Sequence, residues 1–178
     1  MSLPDRLPTT KFDPLGRNPI PLPAFLLSKF IMLCCWLFFV VRLKRPDLML
    51  YTGDFTETLG VLVYVAGFLF LVASLLQLGQ AASVGLPRIE TKLRTRGFYS
   101  WTRNPVYLGA FAMCTGSCLY AIHPLNFLLF AGTVAFHHRI VLKEEEFLAR
   151  TFGEAWDKYR QHVPRYVGLV KSHRIADL

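Results

Sequence analysis

Residues 59–79 read LGVLVYVAGFLFLVASLLQLG, a stretch with no Asp, Glu, Lys or Arg. About 20 mostly apolar residues in α-helix cover the roughly 30 Å of bilayer hydrocarbon. Lipid offers no water to the backbone, so a segment crossing it satisfies its N–H and C=O groups within a helix. The stretch therefore predicts a transmembrane helix. Upstream, AFLLSKFIMLCCWLFFVV (24–41) repeats the pattern with Lys29 as its one charge. Downstream, PVYLGAFAMCTGSCLYA (105–121) and PLNFLLFAGTVAF (124–136) are shorter, and His123–Pro124 between them reads as the turn of a helical hairpin. The expected fold is all-α: a polytopic membrane protein with about four transmembrane helices, the last two a hairpin, followed by a cytoplasmic amphipathic helix.

Composition agrees. The chain has 178 residues, 53% of them apolar and 18% charged, with a mean hydropathy of +0.35. One ordinary water-soluble domain of that length would struggle to hide so much apolar surface. The run at 24–41 follows a proline-rich segment, is long, and lacks a small-residue cleavage site, so it does not read as a secretory signal. Three regions are expected: a proline-rich cytoplasmic tail (1–23), two transmembrane helices (24–79), and a connector, hairpin and C-terminal helix (80–178).

Lysine and arginine fix the expected orientation. Four crossings put the amino-terminal tail, the connector 80–104 and the tail 143–178 on one side, with fifteen basic residues. The loop 42–56 on the other side has three, Arg42, Lys44 and Arg45. The positive-inside rule then makes both termini cytoplasmic. Lys29 and Arg139 lie near helix ends, where they can snorkel. The net charge of +8 is explained by topology and anionic lipid, without nucleic acid. Small size and the lack of a long lumenal domain favour a bacterial inner membrane over the endoplasmic reticulum. Cys34, Cys35, Cys114 and Cys118 all sit in apolar runs and read as packing residues, with no His or carboxylate at ligand spacing. No metal is expected.

The chemistry gathers in RGFYSWTRNPVYLGAF, 96–111. Asn104 before Pro105 is a good helix start, since Asn caps and Pro suits the first helical position. Arg103, Tyr99, Trp101 and Tyr107 bring a guanidinium and aromatic rings to the same depth, beside a helix N-terminus able to donate to a carboxylate or phosphate. The hairpin sets this end beside KEEE, 143–146. At 100° per residue along an expected helix 137–160, Leu148, Ala155, Tyr159 and Phe152 form an apolar face. Glu144 sits on its edge, Glu145 falls within it, and Glu146 points away. Donors, carboxylates and aromatic faces together suit a zwitterionic cofactor, though spacing alone singles out none.

GFYSWTRNPVYLG followed by KEEEFLARTFGEAWDKYRQHVPRYVG resembles the isoprenylcysteine carboxyl methyltransferase and phospholipid methyltransferase group of membrane enzymes. The likeness covers about residues 79–168. It rests on Gly97, Tyr99, Arg103, Pro105, Tyr107, Gly109, Glu144, Glu145, Phe152, Gly153, Tyr159 and Pro164. It implies S-adenosylmethionine as methyl donor and a lipid-like or prenylated acceptor entering from the bilayer. By position, Thr91, Lys92, Leu93, Arg94, Tyr99, Asn104, Pro105, Val106, Tyr107 and Glu144 would line the cofactor, and Arg139 and Glu145 are the implied catalytic pair. Two departures stand out. Asn104 occupies a position where eukaryotic relatives carry His, and Asn does not titrate. Arg139 lies five residues before Glu144 rather than four, with Ile140 in the expected place and Arg165 as a substitute. Sterol-reductase-like nicotinamide chemistry is an alternative, but Ala110 replaces the Glu that usually follows Gly109 in that group. A non-enzymatic membrane protein is the other.

Overall fold

The computed structural model describes residues 20–78 and 93–168. These form five helices: α1 (Leu22–Lys44), α2 (Asp54–Leu78), α3 (Pro105–Tyr120), α4 (Pro124–Phe152) and α5 (Glu154–His162). Single 3-10 turns cover Pro46–Leu48 and Gly97–Ser100. Among the described residues the only extended pairing is an isolated bridge between Tyr51 and Ile122. The tail 1–19 and the cofactor candidates Thr91 and Lys92 lie outside the described residues.

Helix ends follow local rules. α1 closes with Arg42 and Lys44 in its last turn, and α2 opens with Asp54 and Glu57 in its first, each charge answering the helix dipole. An Arg42–Glu57 ion pair joins these two ends. At the α3–α4 turn, His123 Nδ1 accepts from Leu125 N–H at 3.2 Å, and Leu50 N–H donates to Ile122 O at 2.9 Å. The expected hairpin is therefore present, and this far end of the bundle is tied by main-chain bonds.

α1, α2 and α4 are long and apolar enough to cross a membrane. α3 has 16 residues, about 24 Å of helix, and is shorter than the other three. Its place in the bundle is set by glycines. Gly60 and Gly67 of α2 meet Gly116 and Gly109 of antiparallel α3. A Cβ on Gly116 would stand 2.4 Å from Tyr64 N and 2.7 Å from Gly60 O, and one on Gly67 would stand 2.7 Å from Met113 N. The obstructing atoms are backbone, so the two helices touch at a distance only glycine permits. Close backbone approach through small residues is how helices associate where lipid removes the hydrophobic drive.

Cys35, Cys114 and Cys118 form a buried cluster flanked by Met32, Trp36, Leu129 and Phe130, the packing role their sequence positions predict. Ser117 Oγ donates to Cys35 O at 2.6 Å, and Asn126 Nδ2 donates to Ser117 Oγ and to Ala121 O, both at 3.2 Å. These bonds stitch α1, α3 and α4 together inside the apolar layer. Leu33, Leu37, Leu62, Leu69, Leu76 and Leu128 are exposed, as a lipid-facing shell requires. The chain is a membrane protein.

One expectation needs correcting. The helix expected to run unbroken over 137–160 stops at Phe152. Gly153 takes φ of +51°, which an L-residue adopts only with strain, and α5 restarts from it. The Gly153 N–H still closes the last turn of α4 on Ala149 O at 3.0 Å. This break folds α5 back toward the head of α3.

Candidate functional site

The head of α3 is where separate parts of the chain converge. Gly97 has φ of +65°. Beside it Phe98 N–H donates to Gln77 Oε1 at 2.8 Å, tying the connector to the last turn of α2. Leu93 packs under Trp156, Tyr159 and Val163, and the Tyr159 hydroxyl donates to Tyr99 O at 2.5 Å. The segment after α5 then runs along residues 102–104. Arg103 N–H donates to Pro164 O at 2.9 Å. Thr102 Oγ1 and Asn104 Nδ2 both donate to Arg165 O, at 2.9 and 3.2 Å.

Glu145 is the centre of this arrangement. It is 8% exposed and accepts from Asn104 Nδ2 at 3.0 Å, Arg103 Nη2 at 3.3 Å, and Arg165 Nε and Nη2 at 3.1 and 2.9 Å. A buried carboxylate demands such partners. Arg103 also stacks its guanidinium over Trp156, 5.6 Å from the ring centroid, and Nη1 donates to Arg160 O. Burial pulls the Arg103 pKa down, and Glu145 works against that; the hydrogen bonds to Glu145 push that of Arg165 up. Burial raises the hydroxyls of Tyr99 and Tyr159, and takes Tyr166 to about 12, so all three remain neutral donors at ordinary pH.

Asn104 corrects a second expectation. It occupies the N-cap position of α3, but its side chain makes no capping bond. Its amide is committed to Glu145 and to Arg165 O, while its backbone carbonyl accepts from Leu108 N–H. Capping and carboxylate binding compete for one short side chain, and the buried charge wins.

One turn on, the Tyr107 hydroxyl donates to Glu144 Oε1 at 2.7 Å. The three consecutive glutamates thus divide as their angles predict: Glu145 is buried, Glu144 is half-buried on Tyr107, and Glu146 is exposed between Lys143 and Arg150. Of the other sequence candidates, Pro105 is buried, Val106 is half-buried, Tyr99 is buried and Arg94 is exposed. Arg139 is exposed on α4, away from this cluster; the guanidinium that reaches Glu145 from outside α3 is that of Arg165. Thr102 and Tyr166 escaped the sequence reading. Thr102 has a signal in retrospect, a hydroxyl two residues before the capping position. Tyr166 has none, since it follows Pro164, where periodicity ends.

A family profile described as phospholipid methyltransferase matches residues 55–155. The chain belongs to that family. The matched span starts in α2 and ends in α5, so it contains the glycine-packed helix pair, Asn104 and both inward glutamates. Among curated relatives, protein-S-isoprenylcysteine O-methyltransferase of Schizosaccharomyces pombe is 29% identical over 102 residues, 55% of this chain and 43% of the relative. The enzyme of that name from Rattus norvegicus is 32% identical over 85 residues, 47% of this chain and 30% of the relative. That from Xenopus laevis is 38% identical over 85 residues, 45% of this chain and 28% of the relative. The chain thus aligns with less than half the length of each of these relatives.

Proposed function

We propose that this family member transfers a methyl group from S-adenosylmethionine to a lipid-like acceptor, with the site at the head of α3 and both termini on the cytoplasmic side. In this reading α3 is a fourth, short crossing, and residues 80–178 with the partner helix α2 form the transferase region. Relatives named for an isoprenylcysteine acceptor support a prenylated or other lipid-like substrate.

The observation that carries the reading is the pairing of Tyr107 with Glu144 one turn above the Asn104–Glu145 bond. The donor set fits the cofactor. Among the described residues, buried Arg103 Nε has no hydrogen-bond partner, and Glu144 takes a single hydrogen bond, from Tyr107. A spare guanidinium N–H suits a carboxylate, a spare carboxylate oxygen suits an ammonium or ribose hydroxyls, and aromatic faces suit a sulfonium. S-adenosylmethionine would supply an electrophilic methyl group on sulfur. The protein's part is orientation and exclusion of water. Tyr107 fixes the Glu144 carboxylate and Glu145 fixes Arg103 and Asn104, with Leu93, Tyr99, Pro105 and Val106 proposed to line the cofactor.

Calorimetric titration of the detergent-solubilised protein with S-adenosylhomocysteine tests this. Saturable binding is expected, with Glu144→Ala weakening it about tenfold, the size of one lost charge-assisted hydrogen bond. Absence of binding to the native protein would sink the methyltransferase reading.

A further inference from the structure

Lys29 lies within the apolar run of α1, and its side chain turns inward. Nζ sits 3.5 Å from His137 Nε2 on α4, 5.1 Å from the Phe25 ring centroid and 5.8 Å from that of Tyr107. His137 is fully buried, and its Nδ1 lies 2.9 Å from Thr133 O. A carbonyl only accepts, so Nδ1 carries the proton and Nε2 is left to accept from Lys29. An ammonium over two aromatic faces with a neutral imidazole as acceptor is a cation without an anion: among the described residues no carboxylate lies within ion-pair distance of Lys29. Glu144 is itself engaged by Tyr107. A snorkelling lysine would reach for the interface, whereas this one reaches across to a neighbouring helix. An ionisable side chain that faces the bundle interior of a membrane protein is a functional-site candidate.

We infer that Lys29, positioned by His137, receives an anionic oxygen group of the acceptor. The inference rests on the methyltransferase reading above and deepens it. Tyr107 joins the two halves: its hydroxyl holds Glu144, and its ring faces Lys29. An acceptor entering between α1 and α4 would leave its chain in lipid and set its anionic group one tyrosine away from the proposed cofactor side. Phe111 is in aromatic contact with both His137 and Tyr166. Either a prenylcysteine carboxylate or a phospholipid phosphate provides the required charge.

The experiment is equilibrium binding in uncharged detergent, with four probes: N-acetyl-S-farnesylcysteine, its carboxamide, a phosphatidic acid, and the matching diacylglycerol. The native protein is expected to prefer one charged probe over its neutral partner by about tenfold or more. Which pair discriminates identifies the source of the anion. Lys29→Met should abolish the preference and Lys29→Arg should keep most of it, while both variants bind S-adenosylhomocysteine as the native protein does. Equal binding of charged and neutral probes by the native protein, or a preference that survives Lys29→Met, overturns the inference. So does loss of S-adenosylhomocysteine binding in Lys29→Met, which would make Lys29 a counterion of Glu144. If the native protein fails to bind S-adenosylhomocysteine yet discriminates the charged probe through Lys29, the cofactor reading fails and the anion site stands.

Discussion

Glu145→Ala will lower the unfolding free energy by about 3 kcal/mol, the scale for removing one partner of a buried ion pair, and will abolish S-adenosylhomocysteine binding. The loss is large because four donors from three side chains converge on this carboxylate. Their fates differ once it is gone. The Arg103 side chain is 10% exposed and is left charged and buried. The Arg165 side chain is 36% exposed and regains water. Removing Arg165 should therefore cost less than removing Arg103, and removing Glu145 should cost most. Glu145→Gln keeps an acceptor for one donor but removes the charge, and falls between native and Glu145→Ala. Thermal unfolding in detergent across the four variants gives the order; a larger loss for Arg165→Ala than for Arg103→Ala would refute the ranking.

The second large effect belongs to the glycine seam. Gly116→Ala should cost about 3 kcal/mol, at the upper end for overpacking, because the added Cβ meets Tyr64 N and Gly60 O. Gly116→Leu should leave no folded protein. Gly67→Ala and Gly109→Ala should follow Gly116→Ala, each being opposed by backbone of the partner helix. Gly132→Ala is the contrast. Its Cβ would find only Ile31 Cγ2 at 3.6 Å, an ordinary contact, and alanine raises helix propensity by up to about 1 kcal/mol. Yield and unfolding temperature after purification separate the two classes. If Gly116→Ala is as stable as Gly132→Ala, the close approach of α2 and α3 is wrong.

Much of this architecture is legible in the chain. The uncharged run 59–79 and the lone Lys29 in 24–41 announce helices in lipid, and His123–Pro124 announces the hairpin. A 100° step per residue separates Glu144 and Glu145 from Glu146 correctly, since those residues do lie on one continuous helix. The same step fails past Phe152 because a single glycine with positive φ ends the helix, and periodicity carries no sign of a break. Asn104 fits the sequence rule for a cap, but the rule weighs only local partners, and Glu145 is 41 positions away. Arg165 and Tyr166 follow a proline, where no repeat constrains which way a side chain turns. Lys29 reads as an interfacial snorkel when α1 is considered alone. Its partner on α4 appears only when the helices pack.

The bonds from residues 102–104 to the carbonyls of Pro164 and Arg165 bear on the order of assembly. α1 to α4 precede this segment in the chain and are synthesised first. At that moment Glu145 has Arg103 and Asn104 beside it but lacks Arg165, and Thr102 has no carbonyl to hold. The head of α3 is finished only when the last segment of the described chain emerges from the ribosome and docks. A chain halted after His162 would lack the Pro164 and Arg165 carbonyls and the Arg165 guanidinium, and its Glu145 centre would be half built.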